Sequence, residues 1–189
     1  MSAVLVPTDV AVGLLERAVA HTRGCLALVD DPLLDRPTPC TAWDLRALLT
    51  HMDDSLAAIA EAAAGAVSPR PAVPPGVTLP ADLLVDRLRV RACDLLAAWA
   101  RPPASSAVAG APVDARVLAG AGALEIAVHG WDVAAACGAV VPLPDGLAAD
   151  LLPLVPALVA DVDRPVRFGP PRTASDDSAS SRLLALLGR

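Results

Sequence analysis

The sequence predicts an all-α fold: a four-helix bundle with an additional C-terminal helix and an irregular tail. Three observations lead there. Apolar residues recur at helical spacing in several long segments, Pro- and Gly-rich stretches separate those segments, and no segment alternates convincingly in the manner of a strand. The 189 residues suit one domain able to bury a substantial core. Residues 1–163 are expected to form the bundle, with 164–189 a strap and short helix packed on the same domain.

Thr8 and Asp9 can cap a first helix running to about Val29, with Val12, Leu15, Val19, Leu26 and Val29 on its apolar face. Pro32 lies just beyond it. The loop from Asp30 to Cys40 holds three prolines, and Thr41-Ala42-Trp43-Asp44 then has the form of a capping box with Asp in the usual Glu position. The second helix should reach about Ala64, its stripe formed by Leu45, Leu48, Leu49, Met52, Leu56 and Ile59, and Gly65 closes it. Four prolines and Gly76 make 66–79 a connector.

Thr78 and Pro80 fit the cap and first turn of a third helix over about 81–100. Arg101 to Ala115 reads as loop. A fourth helix spans about Arg116 to Cys137, stopped by Gly138. A fifth starts at Pro144 and Asp145 and runs to about Val162, with Pro153 and Pro156 kinking or interrupting it. A short terminal helix is expected over about 181–187.

Composition excludes several classes of function. The hydrophobic fraction is 54% and the mean hydropathy +0.53, yet much of this is alanine. No uncharged apolar run approaches the ~18 residues needed to span a bilayer, so the chain reads as soluble, with no membrane partner. The N-terminus lacks a basic start followed by an apolar run, which makes the cytoplasm the default location. The net charge is −6, every basic residue is arginine and aromatics are 2%. Neither a basic stripe nor stacking aromatics offer a surface for nucleic acid. Cys25, Cys40, Cys93 and Cys137 are far apart, as reduced thiols rather than a disulfide framework would be. Cys40 precedes a helix start, where a thiol pKa can fall, but no basic partner is identifiable in the sequence and a structural thiol is the simpler reading.

The fourth helix carries the chemistry. From Val117 to Cys137 it is almost wholly Ala, Val, Leu, Ile and Gly, broken by Glu125, His129, Trp131 and Asp132. The i, i+4, i+7 spacing of Glu125, His129 and Asp132 puts them on one face. A carboxylate in such an apolar helix needs a proton, a cation or a metal. Glu and His one turn apart can ligate one ion, and His51, on the apolar second helix, can supply a third donor. Two histidines and a carboxylate leave positions open for water or substrate. Zinc is the first choice of metal, and nickel, iron and copper accept similar donors.

Plainer readings stand beside this one. Glu125 and His129 can form an ion pair within one helix, and His51 can be a satisfied core histidine. Asp132 is either a helix-end hydrogen-bond acceptor or the residue that orients a ligand histidine. Asp53 and Asp54 read as solvated acids, His21 as a surface residue, and Trp43, Trp99 and Trp131 as packing anchors.

Three segments resemble the mycothiol-dependent maleylpyruvate isomerase family, in particular its short single-domain members within the DinB-like metal-binding bundles. They are RPTPCTAWDLRALLTHM at 36–52, EIAVHGWDVAAACG at 125–138 and FGPPRTASDDSASSRLLALLGR at 168–189. The resemblance covers nearly the whole chain and implies metal ligands at His51, Glu125 and His129. It also implies that a small-molecule thiol such as mycothiol loses its proton at the open metal position and attacks an electrophile. Addition, rotation and elimination then give cis–trans isomerisation, and addition alone gives S-transfer. In that scheme water or Asp132 moves protons. Arg101, Arg116, Arg164, Arg167 and Arg172 are the arginines available to hold an anionic thiol, and the partners are the thiol and a small-molecule substrate. The connector at 101–115 departs from the expected pattern, and the short members of the family lack the extra C-terminal domain of the isomerase itself.

Two other functions use the same features: a thiol-independent cyclase or isomerase with the metal as Lewis acid, and a non-catalytic metal-binding module. The apolar excess leaves room for a homodimer.

Overall fold

The computed structural model describes residues 7–40, 43–67, 79–164 and 168–189. Helix α1 (Thr8–Leu26) starts straight after Pro7 and buries Ala11, Leu14, Leu15, Ala18, Thr22 and Cys25, the i, i+3, i+4 pattern of a single face. It stops short of Val29 because the amides of Leu28 and Val29 turn back to the carbonyls of Cys25 and Leu26, tightening the end.

Helix α2 (Leu45–Ala63) is capped by Asp44, whose carboxylate accepts from the Ala47 amide at 2.8 Å. The expected cap at Thr41 falls outside the described residues, and the cap itself sits three residues later. The preceding loop is tied down by a bridge between Pro37 and Asp44 and by Thr38 Oγ1 donating to the Trp43 carbonyl, which fixes Trp43 at the mouth of α2.

Helix α3 (Ala81–Trp99) follows Pro80 and receives its cap from a distant loop, with Asp31 Oδ1 accepting from the Ala81 amide at 2.8 Å. Thr78, the expected cap, lies outside the described residues. Asp53 is not solvated as expected. It is 5% exposed and clasps Arg87 and Arg91 of α3, binding α2 to α3. Trp99 is fully buried with its indole N–H donated to the Ile59 carbonyl at 2.9 Å.

The segment read as loop holds two strands, β2 (Ser105–Val108) and β3 (Ala111–Asp114), in an antiparallel hairpin. Strand β1 (Ala66–Val67) pairs in parallel with β2, giving the order β1-β2-β3. Ala109 and Gly110 turn the hairpin with φ of 49° and 81°, the double left-handed geometry of a two-residue loop.

Helix α4 (Ala115–Ala136) is capped by Asp114, which also pairs with Arg116. Its amide and guanidinium bonds to Arg116 hold the Asp114 carboxyl down at about 2. Gly138, at φ 79°, ends α4 as expected. Pro153 and Pro156 break the expected fifth helix into α5 (Asp145–Leu151), a 3₁₀ turn at Leu152–Leu154, and α6 (Val155–Leu158).

Helix α7 (Ala179–Leu186) is capped by Ser178 and packs on α5. Arg164 donates to the carbonyls of Gly169 and Leu186, and Gly169 lies so close to Gly188 that a Cβ on Gly188 would sit 2.5 Å from the Gly169 Cα. That clasp aims Arg189 inward.

The four long helices make the body of the molecule: α1 lies along α4, and α2 contacts both α3 and α4. Leu14, Leu15, Leu48, Leu49, Leu88, Leu95 and Trp99 are buried between them. Among the described residues no helix is long and apolar enough to cross a membrane.

Candidate metal centre

His51 and Ser55 lie one turn apart on α2, and Glu125 and His129 one turn apart on α4. The contact between these helices brings the four side chains together. Glu125 Oε1 sits 2.6 Å from His51 Nε2, 3.3 Å from His129 Nε2, and accepts from Ser55 Oγ at 3.0 Å. One donor atom each from His51, Glu125 and His129 lies within 4.8 Å of the other two. The three residues singled out in the sequence thus converge on one place.

Exposure differs across the cluster. The side chains of His51 and Glu125 keep 33% and 30% of their surface, while His129 keeps 8%. The centre is therefore walled around His129 and partly open around His51 and Glu125. Trp43 covers part of the opening, its ring centroid 4.3 Å from that of His51 and 6.0 Å from that of His129. The two imidazoles meet edge to face at 5.2 Å.

Behind His129 lies a second layer. Its Nδ1 is 3.0 Å from Asp132 Oδ2. Asp132 is fully buried and gripped at both oxygens by Arg189, Nε to Oδ1 at 2.8 Å and Nη2 to Oδ2 at 2.9 Å. With Nδ1–H donated to Asp132, the His129 Nε2 is directed at Glu125. Asp132 itself does not reach the open side.

Electrostatics agree with this arrangement. Burial pulls His129 down, but its bonds to Asp132 and Glu125 outweigh that and raise it to about 9. Burial pushes the Glu125 carboxyl up, and its bonds to His129 and His51 prevail, holding it well below the usual carboxylate range. A negative charge fixed between two imidazoles suits either a proton on one ring or a divalent cation held by all three, so the donor set fits a metal.

Cys40 stands at the rear of this layer, where Arg189 Nη2 donates to its sulfur at 3.3 Å. Burial pushes the thiol up despite the pull of Arg189, as a structural thiol requires. Of the arginines offered for cofactor binding, Arg116 is engaged with Asp114 and Arg164 with backbone carbonyls, while Arg167 lies outside the described residues. His21, expected at the surface, is only partly exposed. It lies 3.7 Å from Cys25, and burial lowers its pKa.

Two residues of the centre were missed by the sequence reading. Ser55 could have been found at i+4 from His51, on the same helical face. Arg189 carries no local signal, because its place depends on the fold of the tail.

A mostly helical body with a two-helix cluster of two histidines and a carboxylate defines a class of helical proteins with an open, metal-competent site. The chain belongs to the family described as mycothiol maleylpyruvate isomerase N-terminal domain, which it matches over residues 15–134. Two uncharacterized proteins from two strains of Mycobacterium tuberculosis are each 30% identical over 184 residues, covering 92% of this chain and 94% of the relative. Crystal structures of a mycothiol-dependent maleylpyruvate isomerase and of a variant of it share the fold, with TM-scores of 0.59 and 0.62 at 20% and 19% identity. In both cases 76% of this chain and 67% of the other are covered.

Proposed function

We propose that the chain is an enzyme that uses a divalent metal, zinc first, to activate a small thiol of the mycothiol type for isomerisation or S-transfer on a small electrophile. The observation that carries this is the convergence of His51, Glu125 and His129 donor atoms within 4.8 Å on a side left partly open. Family membership and the resemblance to the isomerase structures support the thiol as co-reactant.

His51, Glu125 and His129 would hold the ion, with nickel, iron and copper accepting the same donors. When bound, the ion supplies the positive charge that lets a thiol lose its proton near neutral pH. The chain does the positioning. Asp132 fixes the tautomer of His129, Arg189 fixes Asp132, and Ser55 donates to the Glu125 oxygen that both imidazoles approach. Trp43 packs at a tilt against His51 and covers part of that flank. A proton passing to Asp132 has to travel through the His129 ring, so we assign Asp132 to positioning.

Metal analysis of gently purified protein tests the first half. Stoichiometric metal in the wild type and its loss in His51→Ala are expected, and a metal-free wild type or a metal-retaining variant overturns the ligand set. Titrating the cobalt-substituted protein with mycothiol tests the second. A shift of the visible d–d bands supports thiol entry. Unchanged bands with every low-molecular-weight thiol tried would favour thiol-independent Lewis-acid chemistry or a non-catalytic module.

A further inference from the structure

The helical body contains a cavity of about 170 Å³ that includes none of the three ligand candidates. Its wall is apolar: Leu26 of α1, Met52 and Leu56 of α2, Leu88 and Leu96 of α3, and Ile126 of α4. The helical turn separates it from the metal centre. His51 and Ser55 face the cluster, while Met52 and Leu56, one residue round the helix, line the cavity. The same step separates Ile126 from Glu125 on α4.

Size and polarity define what fits. An engineered apolar cavity of about 150 Å³ binds benzene, so this space admits one ring or a short branched alkyl group. Thr22 also borders it, but its hydroxyl is already donated to the Ile126 carbonyl at 2.7 Å. The lining offers charge only at two places, Arg23 of α1 and Arg89 of α3, and both are exposed, so the cavity reaches the surface where they stand. Arg89 is shared with Asp86 at 2.9 Å, and that pair too is exposed. The Arg23 side chain has no ion-pair or hydrogen-bond partner among the described residues.

From this we infer a second ligand site: the cavity takes the apolar end of a small monocyclic or branched-alkyl carboxylate whose carboxylate meets Arg23 and Arg89 at the rim. Guanidinium groups pair with carboxylates in two-pronged hydrogen bonds, and an apolar pocket with a few polar groups at its mouth is the usual form of a small-molecule site. The inference stands whether or not the metal centre binds metal.

Calorimetric titration with benzoate, and with benzyl alcohol as the neutral analogue, tests it. Benzoate should bind the metal-loaded and the chelator-treated protein equally, and roughly tenfold more tightly than benzyl alcohol. Replacing both rim residues (Arg23→Gln with Arg89→Gln) should remove that tenfold preference and leave benzyl alcohol binding unchanged. Ala92→Leu, which fills the cavity from α3, should abolish binding of both. Should Ala92→Leu not fold, the rim variant decides alone, since both of its positions are exposed. Benzoate binding that vanishes on chelation places the carboxylate at the metal instead. No binding of either probe, or a preference that survives loss of both arginines, likewise overturns the inference.

Discussion

At the scale of single residues, the chemistry of the centre depends on groups that never touch a ligand. Asp132 is fully buried, and burying a carboxylate without compensation is expensive. It is tolerated because the Arg189 fork binds both oxygens and the His129 ring takes the remaining bond. Replacing Asp132 by Asn keeps the shape but weakens the acceptor that holds the His129 tautomer. Metal affinity in Asp132→Asn, measured by chelator competition, should fall about 10–100-fold, with helix content by circular dichroism unchanged. Unaltered affinity would mean that Asp132 does not act through His129. Part of this site was legible in the sequence, because Glu125 and His129 stand one turn apart in a helix otherwise almost free of polar residues. Arg189 was not, since nothing local says that a residue 57 positions beyond Asp132 returns to it.

At the scale of elements, the approach of α1 to α4 beside Thr22 depends on the missing side chain of Gly130. A Cβ on Gly130 would lie 2.3 Å from Thr22 Oγ1 and 3.0 Å from the Thr22 Cα. The hydroxyl cannot swing away without releasing its bond to the Ile126 carbonyl, and the Cα can move only with the helix. Gly130→Ala should therefore force α1 and α4 apart and cost about 1–3 kcal/mol. Gly13, in α1, has nothing within 4 Å of its would-be Cβ, so Gly13→Ala should stabilise by roughly 0.5–1 kcal/mol through helix propensity alone. Urea unfolding of the two variants should give shifts of opposite sign, and a shared sign would refute this account of the packing. The long helices could be read from their apolar periodicity, and the proline breaks from the ring chemistry. The hairpin at 105–114 could not. Its strands are short and lack an alternating apolar face, and its turn is Ala-Gly instead of the Asn-Gly or Asp-Gly that announces such loops. The cap of α3 was also illegible, because Asp31 supplies it from 50 residues away.

At the scale of the whole molecule, the ligand candidates belong to different layers of the fold. His51 rides on α2, which α3 holds through Asp53 with Arg87 and Arg91, while Glu125 and His129 ride on α4, which lies along α1. A bound ion would join these two pairs of helices, and because the unfolded chain does not present the three donors together, its binding energy adds to folding stability. At a free metal concentration 100 times the dissociation constant, the gain is about 2.7 kcal/mol. For a chain of this length that raises the melting temperature by roughly 5–10 °C. Differential scanning calorimetry of zinc-loaded and chelator-treated protein should show a shift of that size, and His51→Ala should melt at the same temperature in both conditions. If the two wild-type traces coincide, the ion does not bridge α2 and α4. If the variant keeps the full shift, the ion is held without His51.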